Sequence, residues 1–141
     1  MACNMASNIL HNNYLVDNHH TMRRLCHDLF TSAQIESSPE LELLVDRPED
    51  QWVNLLSNMI FPYVQHSSSQ IRGVVKALSE ERKKQIFESY IGSRQSKRDR
   101  PGRALEYGYP IQFDILAGFA EYRDLQRHRM LTQQRQDLGI D

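Results

Sequence analysis

Arg127-His128-Arg129, four residues after Arg123, is the stretch of this chain best equipped for chemistry. A guanidinium is permanently charged and its fork matches phosphate or carboxylate, while an imidazole can orient a hydrogen bond or hold a proton near neutral pH. On a helix Arg123 and Arg127 would share a face, but three consecutive residues point in three directions. A ligand that used all three needs walls from more than one element, or from more than one subunit. The plain alternative is a solvated basic helix end, where cations complement the helix dipole by about 0.3–1 kcal/mol and where charge runs are common.

The elements that must position these groups lie directly upstream. Ile111, Phe113 and Ile115 alternate as a strand requires, predicting β-structure over 109–116. Gly118 then admits a helix over 118–130 that would present Arg123 and the triplet. Before them, Ser93 to Gly102 carries Arg94, Lys97, Arg98 and Arg100, with Arg103 just beyond, against the single acid Asp99. Without apolar spacing this reads as a loop, and its positive density suits phosphate. Contact with nucleic acid or with solvent alone is the competing reading.

Charge is uneven along the chain. The net charge is −1 over 141 residues, but residues 1–65 hold eight acids against three Lys or Arg, and residues 66–141 hold ten against fourteen. An anionic ligand therefore belongs to the second half. Hydrophobic content is 40%, somewhat low for a compact domain, so part of the chain is expected to pack against an absent partner. Two cysteines and no apolar run of membrane-spanning length suggest a reduced, cytoplasmic protein.

Residues 1–40 are read as a loosely ordered segment with one short helix over 22–30, where Met22, Leu25, Cys26, Leu29 and Phe30 follow helical spacing and Thr21 could cap. His11, His19, His20, Cys26 and His27 fit no common zinc spacing, and no metal site is expected. A boundary is expected near residue 40, after Ser37-Ser38-Pro39. Leu41–Val45 reads as a strand. Asp46, Pro48 and Glu49 open a helix over 48–60 with a capping-box pattern, striped by Trp52, Leu55, Leu56, Met59 and Ile60, with Trp52 expected in the core. Helices over 69–78 and 80–91, the second capped by Ser79 and ended by Gly92, look like an antiparallel pair. The fold class is α+β: a helix-rich N-terminal part, then a strand and the helix that carries Arg-His-Arg.

Arg127-His128-Arg129, together with Pro101-Gly-Arg-Ala-Leu-Glu106 and Arg123-Asp-Leu-Gln126, resembles the signature region of the flavin-dependent thymidylate synthases, in a divergent or tandem-domain branch. The likeness covers about Glu80 to Thr132, is loose from Leu41 to Ser79, and is absent before Leu41.

The resemblance implies a partial domain over 41–141 of a homotetrameric FAD enzyme that methylates dUMP to dTMP. The carbon would come from methylenetetrahydrofolate and the hydride from NADPH by way of the flavin. It also implies cofactor-binding roles for Arg127, His128, Arg129 and Thr132, and substrate-binding roles for Arg103, Arg123 and Gln134. His128 would be an oriented hydrogen-bond donor, because the flavin carries the redox chemistry. The sequence departs from the family pattern at Asp124, where Gln is usual, and at Arg135, Asp137 and Gly139, where Glu, Ser and Arg are usual. The family's fold continues well past the triplet, so this chain is expected to be a fragment that is inactive alone. Two further readings stand beside the enzyme: a non-catalytic flavin- or nucleotide-binding relative, and a basic nucleic-acid-binding module. The near-neutral total charge and the lack of a recognised motif weigh against the last.

Overall fold

A computed structural model of the chain describes residues 2–37, 39–45, 48–106, 111–128 and 131–136, with side chains throughout those ranges except at 2–11, 45, 48 and 111. The first helix, α1, spans Ala2–Phe30. The helix expected over 22–30 is thus the last third of a longer one, and Thr21 lies inside it rather than at its cap. The extension has a physical reason that periodicity did not carry: Tyr14 and Asn18 gain tertiary partners. The Tyr14 hydroxyl donates to the Ile91 carbonyl at 2.6 Å, and the Asn18 amide donates to the carbonyls of Tyr90 and Ile91 at 3.3 Å. Met22, Leu25, Cys26 and Phe30 then continue that face into the main core.

After strand β1, Leu41–Val45, a single 3-10 turn at Pro48–Asp50 leads into α2, Gln51–Ile60. Asp46, the expected cap, lies outside the described residues, and Asp50 holds the cap position without a side-chain hydrogen bond. Leu56, Met59 and Ile60 of α2 are fully buried. Trp52, expected in the core, is 39% exposed and rests against Phe87 with ring centroids 5.4 Å apart. Helix α3, Ser68–Ala77, begins with a complete capping box between Ser67 and Gln70. Helix α4, Glu80–Ile91, is capped by Ser79 and ends at Gly92, whose φ of +61° is the left-handed conformation that glycine tolerates. Burial is centred between helices: α3 packs on α2, and α4 packs on both α1 and α2. Helices α3 and α4, expected as an antiparallel pair, each pack on α2, and Ile71, Val75 and Ile86 share one core.

Strand β2, Ile111–Ile115, pairs antiparallel with β1 in the register Leu41 to Ile115 and Leu43 to Phe113. A last short helix, α5, covers Phe119–Leu125. The class is α+β: helices around one core with a two-stranded sheet at its side. Among the described residues no helix is long and apolar enough to cross a membrane.

Candidate functional site

The expected helix over 118–130 is cut to seven residues, so Arg127 and His128 stand just past its end. Their amides bond back to the carbonyls of Asp124 and Leu125, at 3.2 and 3.0 Å, in tight three-residue turns. Tightening of this kind satisfies the carbonyls a helix leaves open at its C-terminus. Helix α5 buries none of its residues, which explains its shortness: isolated helical turns are marginal without an apolar face to dock.

Arg123, Arg127 and His128 are all exposed on this corner. Arg123 has no ion pair or side-chain hydrogen bond among the described residues. Arg127 faces Asp124 at 3.8 Å, a pair in which both side chains are more than three-quarters exposed. Thr132 is exposed, and Arg129 lies outside the described residues. Gln134 is drawn elsewhere: its amide donates to the Asn58 carbonyl at 2.7 Å, while Gln136 donates to the His66 carbonyl at 2.8 Å. With Gln133, which donates to the Leu125 carbonyl at 2.7 Å, these side chains strap residues 133–136 between α5 and α2. Arg135 lies over the Tyr122 ring, 5.8 Å from its centroid, in cation–π geometry.

The basic loop is organised by a residue that the charge count passed over. Asp99 is 3% exposed and accepts from the amides of Gln95 and Ser96, both at 2.8 Å, and from the Ser96 hydroxyl at 3.2 Å. One buried carboxylate thereby folds the loop and leaves Arg94, Lys97 and Arg100 pointing outward. The Ser-x-x-Asp spacing was the available signal, since such side chains close turns on backbone amides. Arg103 sits on the following 3-10 turn, 3.9 Å from Glu106. Among the described residues no hydrogen bond or ion pair joins Arg103 to α5. The candidate site is therefore two basic regions, each open to solvent, rather than one enclosed pocket.

The donor set on α5 and just past its end suits one side of an anionic ligand. A guanidinium without an ion pair, a second one weakly paired and an imidazole can engage a diphosphate or a ring edge, but no opposing wall lies among the described residues. The histidines nearer the N-terminus do other work. His19 packs on Tyr63 with centroids 5.2 Å apart, His66 packs on Phe30 at 4.7 Å, and Cys26 is buried in the core. Among the described residues no group of three His, Cys, Asp or Glu could hold a metal ion.

No protein-family model matches the sequence, and no solved structure matches it. Two bacterial proteins do. A UPF0159 protein of Chlamydia pneumoniae is 38% identical over 108 residues, which is 77% of this chain and 20% of that protein. A UPF0159 protein of Chlamydia muridarum is 34% identical over 129 residues, 89% of this chain and 24% of that protein. The chain thus spans about a fifth to a quarter of the length of the curated relatives it matches.

Proposed function

We propose that this chain is part of a flavin-dependent thymidylate synthase-like protein and supplies one wall of its flavin site. The observation that carries the reading is the corner formed by Arg123, Arg127 and His128. Arg-His follows directly after a strand and a short helix, and its cationic groups are exposed rather than used in packing. Arg127 would hold the diphosphate of FAD, Arg129 would add a second guanidinium, His128 would donate to the flavin ring system, and Arg123 would face the nucleotide substrate. Bound there, the flavin would supply hydride transfer from NADPH toward a one-carbon unit carried by methylenetetrahydrofolate. The chain's own residues would bind and orient; the wall facing them would come from another subunit of a homo-oligomer or from further polypeptide.

A second reading, a flavin- or nucleotide-binding relative without turnover, is favoured by two contacts. Asp124 offers Arg127 an internal counter-charge, and Gln134 spends its amide on Asn58. Both groups are thereby less available to a nucleotide phosphate. Arg103, another substrate candidate, and Thr132, a cofactor candidate, are exposed on separate parts of the chain.

Absorbance of the purified protein near flavin wavelengths, followed by FAD titration of the stripped protein, tests the proposal. The expected result is FAD binding that weakens about tenfold or more in Arg127→Ala and His128→Ala while the helical circular dichroism is unchanged. Absence of FAD binding at millimolar cofactor would sink it. Tritium release from labelled dUMP, with methylenetetrahydrofolate and NADPH present, separates the two readings, and this chain alone is expected to give none.

A further inference from the structure

Helix α1 borders two grooves of opposite electrical character. One is lined by Asp17, Glu88 and Asp99 and by no Lys, Arg or His. The other, with a volume of about 470 Å³, is lined by Arg100 and by the imidazoles of His19 and His20, and by no Asp or Glu. Residues 1–65, which include α1, hold eight acids against three Lys or Arg, so a groove there without a carboxylate is not what composition alone would give.

The walls of this second groove are flat and apolar. His19 packs on Tyr63 with ring centroids 5.2 Å apart, and Leu15 and Val16, 46% and 52% exposed, line the groove with them. Tyr90 reaches it from α4 and is only 6% exposed. Its hydroxyl accepts from the Ala104 amide at 3.1 Å, and among the described residues its own proton finds no acceptor. A buried O–H with an unused proton is unfavourable until an acceptor arrives. Gly102 also lines the groove and lies against this hydroxyl, since a Cβ there would collide with it. Arg100 is exposed, and among the described residues no ion pair or side-chain hydrogen bond engages it. It stands two residues before Gly102, at most about 7 Å of chain, so both unspent donors belong to one end of the groove.

We propose that this groove binds a small aromatic carboxylate, with its ring against Tyr63 and His19 and its carboxylate held by Arg100 and the Tyr90 hydroxyl. A guanidinium takes the two oxygens of a carboxylate through parallel hydrogen bonds. Arg100 is the one permanently charged group lining the groove, which matches a single negative charge. A phosphomonoester carries about −1.5 to −2 near neutral pH and would be left partly uncompensated. The volume falls within the range of small-molecule sites, whose walls are mostly apolar with a few placed polar groups. The inference does not rest on the flavin reading, since no residue between 123 and 129 lines this groove.

Titration of the 15N-labelled chain with 2-naphthoate, followed by NMR, tests it. The expected result is saturable shifts at His19, His20, Tyr63 and Arg100, with a Kd of about 0.1–1 mM because an open groove covers only one side of the ligand. 2-Naphthamide, the same ring without the charge, should bind about tenfold more weakly. Arg100→Gln should bring the acid down to the affinity of the amide, while Arg127→Ala should leave both unchanged. Arg100 lies outside the core, so its variant should keep the parent's circular dichroism. Equal affinity of the unaltered chain for acid and amide would overturn the proposal without any substitution, as would no saturation by 2-naphthoate at about 10 mM. Shifts centred on Leu43 and Phe113 would overturn it by placing the ring on the exposed sheet. Inorganic phosphate binding more tightly than 2-naphthoate would overturn it in favour of a phosphorylated ligand.

Discussion

The Asp114 carboxylate accepts the backbone N–H of Ser68 at 2.7 Å, so a residue of strand β2 caps the first turn of α3. The contact joins residues 46 apart in sequence and works together with Ser67, which caps the same helix from within. A negative charge at a helix N-terminus is favourable because the open amides and the dipole both point at it. Asp114→Ala should lower stability by about 1 kcal/mol, seen as a lower urea midpoint. Asp114→Asn should lose less, because its amide oxygen still accepts the hydrogen bond. Equal losses would show that charge contributes little there.

Tyr90 fixes the basic loop to the core. Its hydroxyl accepts from the buried Ala104 amide at 3.1 Å, and Gly102 lies so close that a Cβ there would collide with the Tyr90 hydroxyl. Tyr90→Phe keeps the ring but leaves a buried N–H without its acceptor, at a cost of about 1–3 kcal/mol. Thermal unfolding should show the loss, and proteolysis within 93–102 should quicken. An unchanged midpoint would mean that water replaces the hydroxyl.

Sequence made legible what local rules control. Ser79 with Glu80 and Glu81, and Gly92 at the far end, mark α4 at both boundaries, and the alternation of Ile111, Phe113 and Ile115 marks β2. The hidden features depend on distant partners. The N-terminal part of α1 lacks a strong apolar stripe, and the described contacts that hold it, Tyr14 and Asn18 to the end of α4, span more than 70 residues. Trp52 fits the stripe of α2 but lies at its first turn, where it meets Phe87 in a tilted ring contact and stays partly open to solvent. Helix α5 was expected to reach residue 130, yet it buries none of its residues, so no apolar docking holds further turns. The candidate site was legible as a set of residue types. Its division into two basic regions was not, since the Gln134–Asn58 hydrogen bond that diverts one expected substrate ligand has no local signature.

Burial raises the Cys26 thiol from its ordinary 9.0 to about 12. Between those values the folded chain keeps the proton and the unfolded chain has lost it, so stability is complete below pH 9 and declines as pH rises toward 12. The slope is at most about 1.4 kcal/mol per pH unit. Burial also raises the Tyr90 hydroxyl, which steepens the decline in the same direction once the unfolded phenol ionises. Urea unfolding at a series of alkaline pH values should show this fall, and Cys26→Ala should flatten it while lowering stability near neutral pH. A slope unchanged by that substitution would assign the alkaline loss to other groups.

Asp124 is the residue expected to limit anion binding at the candidate site. Its carboxylate stands 3.8 Å from the Arg127 guanidinium, where an incoming phosphate must displace it or share the cation with it. Both side chains are largely exposed, so the pair itself is weak and solvent screening keeps its value within about 0–1 kcal/mol. Repulsion between Asp124 and a dianionic ligand acts in the same direction and grows at low salt. Asp124→Gln, which retains hydrogen-bonding capacity without the charge, should therefore tighten FAD or pyrophosphate binding by about two- to fivefold at low ionic strength. The gain should shrink in high salt and disappear in the Asp124→Gln, Arg127→Ala double variant. Isothermal titration at two salt concentrations provides the measurement. An affinity gain that persists without Arg127 would show that Asp124 repels the ligand from elsewhere, and no gain in any background would remove Arg127 from the site.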